Sequence, residues 1–224
     1  MLSDHRIRIV IGNYGTGKTE FSVNYALRLA AGGYKTALVD LDVVNLYFRS
    51  REKQEELEAA GVRVISSSVK GRAVDLPAVP AEAVTPLQDK SYEAILDVGG
   101  DQMGARTLKR YEAYFTPGQY DMFFVVNANR PETQDLTGVM AHMEAIERVS
   151  GIKITALVNN THMVRQTSID DVLRGQSLCQ EISEHTGLPI RYVCALKALI
   201  PKLPHDLKGE VFPISLIMRE AWMS

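Results

Sequence analysis

The stretch Ile9–Glu20, "IVIGNYGTGKTE", decides the fold through the order of its residue types. β-Branched residues come first, as in a buried strand. Then comes the spacing Gly12-x-x-x-x-Gly17-Lys18-Thr19, and after it "KTEFSVNYALRLAAGG" (18–33), apolar at helical spacing and stopped by paired glycines. A strand that turns through glycines into a helix N-terminus is built to hold an anion. Glycines let backbone N–H groups point inward with no Cβ in the way. The helix start adds partial positive charge. Lys18 supplies a cation for the β- and γ-phosphates and Thr19 a hydroxyl for Mg²⁺.

Outward from this loop, short β-branched runs alternate with helical patterns. The runs are 7–12, 36–42, 62–67, 93–99, 122–128, 153–159 and 190–196, with little polar alternation, as in strands covered on both faces. Helical patterns lie near 17–31, 50–60, 103–114, 133–150, 168–186 and 212–222. Each connection is long enough for a crossover, which predicts an α/β fold: a mostly parallel sheet flanked by helices on both faces. The 224 residues are expected to form a single domain spanning 1–224, with an irregular Pro- and Ala-rich segment near 67–92.

Composition narrows the function. Hydrophobic residues make up 46% and charged ones 23%, with a net charge of −2, so there is no general attraction to nucleic acid or anionic lipid. No signal peptide or membrane-length apolar run is present, and a cytoplasmic protein is expected. Cys179 and Cys194 fit no metal or redox motif and read as buried thiols. The sequon at 159–161 is a chance match in that compartment.

Two carboxylate motifs support the phosphate loop. "AILDVGGD" (94–101) places Asp97 at the end of a buried strand, where it can hold the water shell of Mg²⁺. The spacing Asp97-x-x-Gly100 lets the Gly100 N–H reach a γ-phosphate and sense its loss. In "ALVDLDVVN" (37–45), Asp40 and Asp42 fall on one side by strand alternation. One of them is expected to orient an attacking water, the other to join the metal shell.

With "GNYGTGKT", "ALVDLDVVN", "ILDVGGD" and "ALVNN" in place, the chain resembles the MinD/ParA/CobQ group of P-loop NTPases, of the SIMIBI class, over most of its length. The resemblance implies ATP with Mg²⁺, a nucleotide-dependent homodimer as a candidate assembly, and a protein partner. Nucleotide contacts fall on Gly12, Asn13, Tyr14, Gly15, Thr16, Gly17, Lys18, Thr19, Glu20, Gly100 and Asn160. Lys18, Asp42 and Asp40 are the catalytic candidates, and Thr19, Asp97 and Asp42 the metal-shell ones. Many members carry an extra loop lysine that crosses the dimer, where this chain has Asn13, followed by Tyr14 in place of a glycine. An amide cannot offset phosphate charge as a cation does. Arg106, Arg130, Lys70 and Arg72 are the candidate substitutes.

The acid of a guanine-reading N-K-x-D motif is absent after "ALVNN", which favours ATP over GTP. The resemblance puts Asn160 at the base, where an amide pairs with adenine N6 and N7; Asn159 reads as a cap for the segment after it. His142 and His162 stand in no metal spacing and read as surface or capping residues. Asn129–Thr133 reads as a strand-to-helix turn near the nucleotide edge, and the apolar C-terminal stretch, lacking a basic face, as docked on the core. The expected function is a Mg²⁺-dependent ATP switch with slow ATPase activity, acting on a partner protein. The rivals are a small-molecule kinase or ATP-dependent ligase of the dethiobiotin synthetase or cobyrinate amidation type, and a non-hydrolysing ATP-binding interaction module.

Overall fold

The computed structural model describes residues 3–42, 53–66 and 81–218. Its elements are β1 (Ile7–Ile11), α1 (Lys18–Ala31), β2 (Thr36–Leu41), α2 (Gln54–Ala59), β3 (Val62–Ser66), α3 (Thr85–Gln88), β4 (Glu93–Val98), α4 (Gln102–Leu108), β5 (Asp121–Val126), α5 (Leu136–Ser150), β6 (Ala156–Asn159), α6 (Ile169–Thr186), β7 (Ile190–Leu196) and β8 (Glu210–Ile214). The strands form one sheet in the order β3-β2-β4-β1-β5-β6-β7-β8, with parallel pairings throughout.

Every residue of β1 is buried, because alternate side chains enter two separate cores. Ile9 and Ile11 join Leu96, Phe124 and the apolar faces of α4, α5 and α6. Val10 joins Leu38, Ile95 and Phe123 under α1 and α2. On the α1 side an aromatic cluster of Phe21, Tyr25, Phe123, Tyr192 and Phe212 fills the centre, with neighbouring rings 5.2–6.3 Å apart. At the N-terminal edge of the strands, Arg8 is buried but paired with Glu93 at 2.6 Å, and Asp4 accepts hydrogen bonds from the hydroxyls of Tyr25 and Tyr192. This polar cluster lies at the edge away from the phosphate loop, with Arg8 Nε its one buried atom left without a hydrogen-bond partner among the described residues.

The structure differs from expectation mainly at the C-terminal end. The helix expected over 212–222 is not formed over 212–218: residues 210–214 are β8, an eighth strand, and 219–224 lie outside the described residues. Phe212 and Ile214 are buried against the aromatic cluster while Pro213 faces outward, an alternation of period two. Proline lacks a ladder N–H and suits the edge of the sheet, where β8 sits. Elsewhere the boundaries move for local reasons. α5 starts at Leu136 because Asp135 caps it, accepting from Gly138 N at 2.8 Å. α4 gives way after Leu108 to a 3₁₀ segment, Lys109–Tyr114. Of the irregular segment, 67–80 lies outside the described residues, and 81–88 is a 3₁₀ turn followed by α3.

From β1 the chain crosses by α1 to one side of the sheet, and from β4 it crosses by α4 to the other. The loops after β1 and β4 therefore part at a crevice over the C-terminal strand edge, the place where ligands bind in open parallel sheets.

Candidate functional site

The loop after β1 is set by close approach and by backbone sign. Gly12 has φ 151°, and a Cβ there would lie 2.4 Å from the Val125 carbonyl oxygen. Gly17 caps α1 at φ 80°, a left-handed conformation that side chains resist. The Thr16 hydroxyl and Lys18 Nζ both donate to the Asn13 carbonyl, at 2.9 and 3.1 Å, so the lysine arches over the loop it belongs to. Burial lowers the Lys18 pKa, opposed by Asp97 first, then Asp42 and Asp101.

Those acids lie on adjacent strands. Asp40 and Asp97 are register partners across β2 and β4, and Val10 flanks Asp97 on β1. Asp97 is 1% exposed, and its pKa is pushed up to about 7, by burial first and by Asp40 second. A hydrogen bond with Thr19 and the charge of Lys18 act the other way, and Ser22 Oγ donates to Asp97 at 3.3 Å. Asp42 lies just past β2, where its N–H donates to Asp40 Oδ1 at 3.1 Å and its carboxylate faces the crevice beside Gly99. Asp40 is thus buried behind, and Asp42 stands in front.

Gly100 touches the phosphate loop from the β4 side. A Cβ there would lie 2.8 Å from both Lys18 Nζ and Tyr14 N, so a side chain would push the loop away. α4 comes in as closely beneath: a Cβ on Gly104 would lie 2.4 Å from the Gly99 carbonyl oxygen. His142 of α5 is more than a surface residue. Its ring faces the Gly100 backbone and packs edge-on to Phe124, and Nε2 is buried with no hydrogen-bond partner among the described residues. Burial holds its pKa below the ordinary value, and the Gly100 backbone opposes this.

On the other flank, the turn after β5 supports the loop. Asn127 Nδ2 and Arg130 Nε donate to the Gly15 carbonyl at 3.4 and 2.9 Å, and Asn13 Nδ2 donates to Glu132 Oε2 at 3.4 Å. The turn Pro131–Thr133 is a short 3₁₀ segment, as a strand-to-helix connection should be.

These groups surround a cavity of about 260 Å³. One end is polar, with Lys18, Thr19, Asp42 and Arg130; the other is apolar, with Val164, Leu216 and Met218. His162 lines it as well, and so is no bystander. Its Nδ1 accepts from Val164 N at 3.2 Å, holding Val164 at φ 54°, a conformation that strains a β-branched residue. A smaller recess of about 30 Å³ continues between Asn160, Cys194 and Ile214. Asn160 Nδ2 donates to the Thr16 carbonyl at 2.7 Å, so its amide nitrogen braces the phosphate loop. Asn159 Nδ2 donates to the Val172 carbonyl at 2.9 Å, tying β6 to α6. The segment after β8 closes the apolar end. Asn24 exchanges two hydrogen bonds with the Ser215 backbone, at 2.8 and 2.9 Å, and Glu20 Oε1 accepts from Ile217 N at 2.6 Å.

Among the described residues no group of three His, Cys, Asp or Glu side chains is placed to hold a metal alone. Mg²⁺ does not need one, since it keeps several waters and takes one or two protein oxygens beside phosphate oxygens. The Thr19 hydroxyl hydrogen-bonded to the Asp97 carboxylate, with Asp42 nearby, is a donor set of that kind.

A family model for the CobQ/CobB/MinD/ParA nucleotide-binding domain matches residues 7–191. The chain belongs to that family. Within the CobQ/CobB/MinD/ParA domain, the matched span takes in the phosphate loop, the Asp97 turn and strands β1 to β6, and ends in β7. No curated protein matches the chain. Solved structures share its fold. FtsY from Mycoplasma mycoides is 17% identical with a TM-score of 0.56, over 85% of this chain and 60% of that one. FtsY from Thermotoga maritima is 19% identical with a TM-score of 0.53, over 85% and 62%. Chloroplast FtsY from Physcomitrella patens is 17% identical with a TM-score of 0.57, over 85% and 58%. The chain thus spans about three-fifths of those structures, and the likeness is one of fold.

Of the cations considered in place of the loop lysine, Lys70 and Arg72 lie outside the described residues, Arg106 is exposed on α4, and Arg130 lines the cavity. Sequence reasoning passed over Gly104, Asn24 and the 162–164 turn. Helix-interior Gly104, in the turn after Asp97, was the one readable signal of close approach. No helix among the described residues is long and apolar enough to cross a membrane.

Proposed function

We propose that this chain is a Mg²⁺-dependent ATP-binding switch that hydrolyses slowly and acts on a protein partner in the cytoplasm. The observation that carries the reading is the contact of Gly100 with the phosphate loop. A turn that meets Lys18 Nζ and Tyr14 N within the reach of one methyl group is suited to register whether a γ-phosphate is there.

The roles follow from position. Lys18 leaves the Asn13 carbonyl to neutralise the β- and γ-phosphates. Thr19 and Asp97 would hold Mg²⁺, which when bound offsets phosphate charge. Asp42, at the cavity, orients the attacking water, and buried Asp40 keeps Asp42 in place through its backbone. The Gly100 N–H reports the γ-phosphate. Asn160, its nitrogen engaged with Thr16, keeps Oδ1 to accept from a base amine, which adenine N6 offers and guanine O6 does not. For a partner, the support is the exposure of Tyr14 (65%), Met103 (59%) and Met163 (50%), the exposed large hydrophobic residues among those described, on segments around the cavity mouth. They suit a protein surface, or a second copy of this chain, that meets the nucleotide face.

The test is thermal melting of nucleotide-free protein with Mg²⁺ and ATP, GTP or neither. At about a hundred times the dissociation constant, ATP adds roughly 2.7 kcal/mol, a rise of about 5–11 °C for a domain of this size. Lys18→Ala should remove most of it. No rise with ATP sinks the reading, and a larger rise with GTP sinks the adenine assignment. Phosphate release, alone and with candidate small molecules, separates the switch from a small-molecule kinase or ligase.

A further inference from the structure

We propose that Arg130 is a second phosphate-binding cation of this site, supplied by the same chain and locked to the phosphate loop. The proposal rests on the nucleotide reading above and adds a residue that motif spacing alone does not assign.

Two cationic side chains line the cavity among the described residues, Lys18 and Arg130. Arg130 is fixed at both ends. Its backbone N–H donates to the Asn127 carbonyl at 3.1 Å, and its carbonyl accepts from Thr133 N at 2.9 Å. Pro131 follows, and the residue before a proline is held extended, as Arg130 is at φ −107°, ψ 127°. At the far end Nε–H donates to the Gly15 carbonyl at 2.9 Å. This bond uses the one guanidinium N–H that points back along the side chain. The terminal nitrogens are left as a planar fork of donors, suited to two phosphate oxygens at once.

Gly15 supplies the room. A Cβ on it would lie 2.9 Å from Arg130 Nε and 3.1 Å from Cζ, so any larger residue displaces the guanidinium. The charge is also uncommitted. Arg130 is half-buried and pairs with no carboxylate among the described residues. Asn13, by contrast, is neutral and engaged with Glu132. A half-buried guanidinium beside an anion-binding loop, with only its Nε–H donor engaged, is completed by a polyanion. In hydrolysis the same fork would stabilise the charge that develops as the γ-phosphoryl group leaves.

The experiment is calorimetric titration of Arg130→Ala, Arg130→Lys and wild type with Mg²⁺-ATP and with AMP, after apo melts have shown each variant folded. If Arg130→Ala does not fold, Arg130→Gln takes its place. The expected result is a loss of ATP affinity of about 10- to 100-fold in Arg130→Ala, with AMP affinity unchanged. Arg130→Lys should fall between, since it keeps charge without the fork, and added guanidinium should restore part of the ATP affinity in Arg130→Ala. Wild type that binds ATP while Arg130→Ala binds it equally overturns the proposal and leaves the nucleotide reading standing. Equal losses for ATP and AMP also overturn it, since they mean damage to the loop. Wild type that binds no ATP overturns both.

Discussion

Replacing Asp97 with asparagine should make the nucleotide-free protein more stable, and more so as the pH rises. The carboxylate lies in a buried site beside Asp40, which moves its pKa from the ordinary 3.8 to about 7. At about 1.36 kcal/mol per pH unit, the ionised form costs the native state about 4 kcal/mol. The sign follows from proton counts. Unfolded, Asp97 gives up its proton near 3.8; folded, it keeps it until about 7. Between these values the native state binds more protons, so stability falls as the pH rises: the favourable contribution is full below about 4 and gone above about 7. Asparagine keeps an oxygen to accept from Thr19 and Ser22 and turns a donor toward Asp40. Urea denaturation without Mg²⁺ or nucleotide should show Asp97→Asn ahead of wild type by a margin that grows by about 3 kcal/mol between pH 4.5 and 8.5. A margin independent of pH, or a variant less stable than wild type at pH 8.5, would refute the reasoning. On the proposed reading, in which a metal ion would relieve this unfavourable charge, the same variant should lose the Mg²⁺-dependent part of ATP stabilisation.

Three other substitutions probe the parts of the site separately. Gly100→Ala puts a methyl group 2.8 Å from Lys18 Nζ and Tyr14 N; overpacking of this kind costs roughly 1–3 kcal/mol, and calorimetry should show ATP affinity lowered more than AMP affinity. Asn24→Ala removes both hydrogen bonds to Ser215, and hydrogen exchange over 215–218 should speed up while Lys18 and its loop stay protected. Asp42→Asn should slow phosphate release by about 10²–10⁴-fold with ATP affinity kept; equal losses in both would move Asp42 into the metal shell.

How much of this was legible in the sequence depended on how far apart the cooperating residues lie. Gly12 to Thr19 act within one turn, and the Asp97-x-x-Gly100 spacing within another, so the rules of local geometry reach them. The parallel sheet was legible from the unbroken apolar runs, since strands covered on both faces have no polar alternation to hide. β8 was missed because "FPISLIM" is apolar enough to imitate a helix; Pro213 and the buried pair Phe212 and Ile214 were the contrary signals. Arg130 was legible only as one of four candidate cations on a turn near the nucleotide edge, and its contact with Gly15, like that of His142 with Gly100, was not. Each joins loops that the sheet order brings together, and a single sequence carries no trace of that distance.

The segment after β8 closes the cavity with Leu216 and Met218 and is tied back to α1 through Asn24 and Glu20. Helix α1 and strand β8 are therefore one mechanical unit made at widely separated times. At about 5–20 residues per second on the ribosome, the loop of residues 12–19 waits roughly 10–40 s for residues 216–218 to be made. During that interval an emerging chain has its phosphate loop without the apolar wall of the cavity. A chain made through residue 218 should therefore hold a nucleotide better than one still short of it, so that tight binding would mark how far synthesis has run.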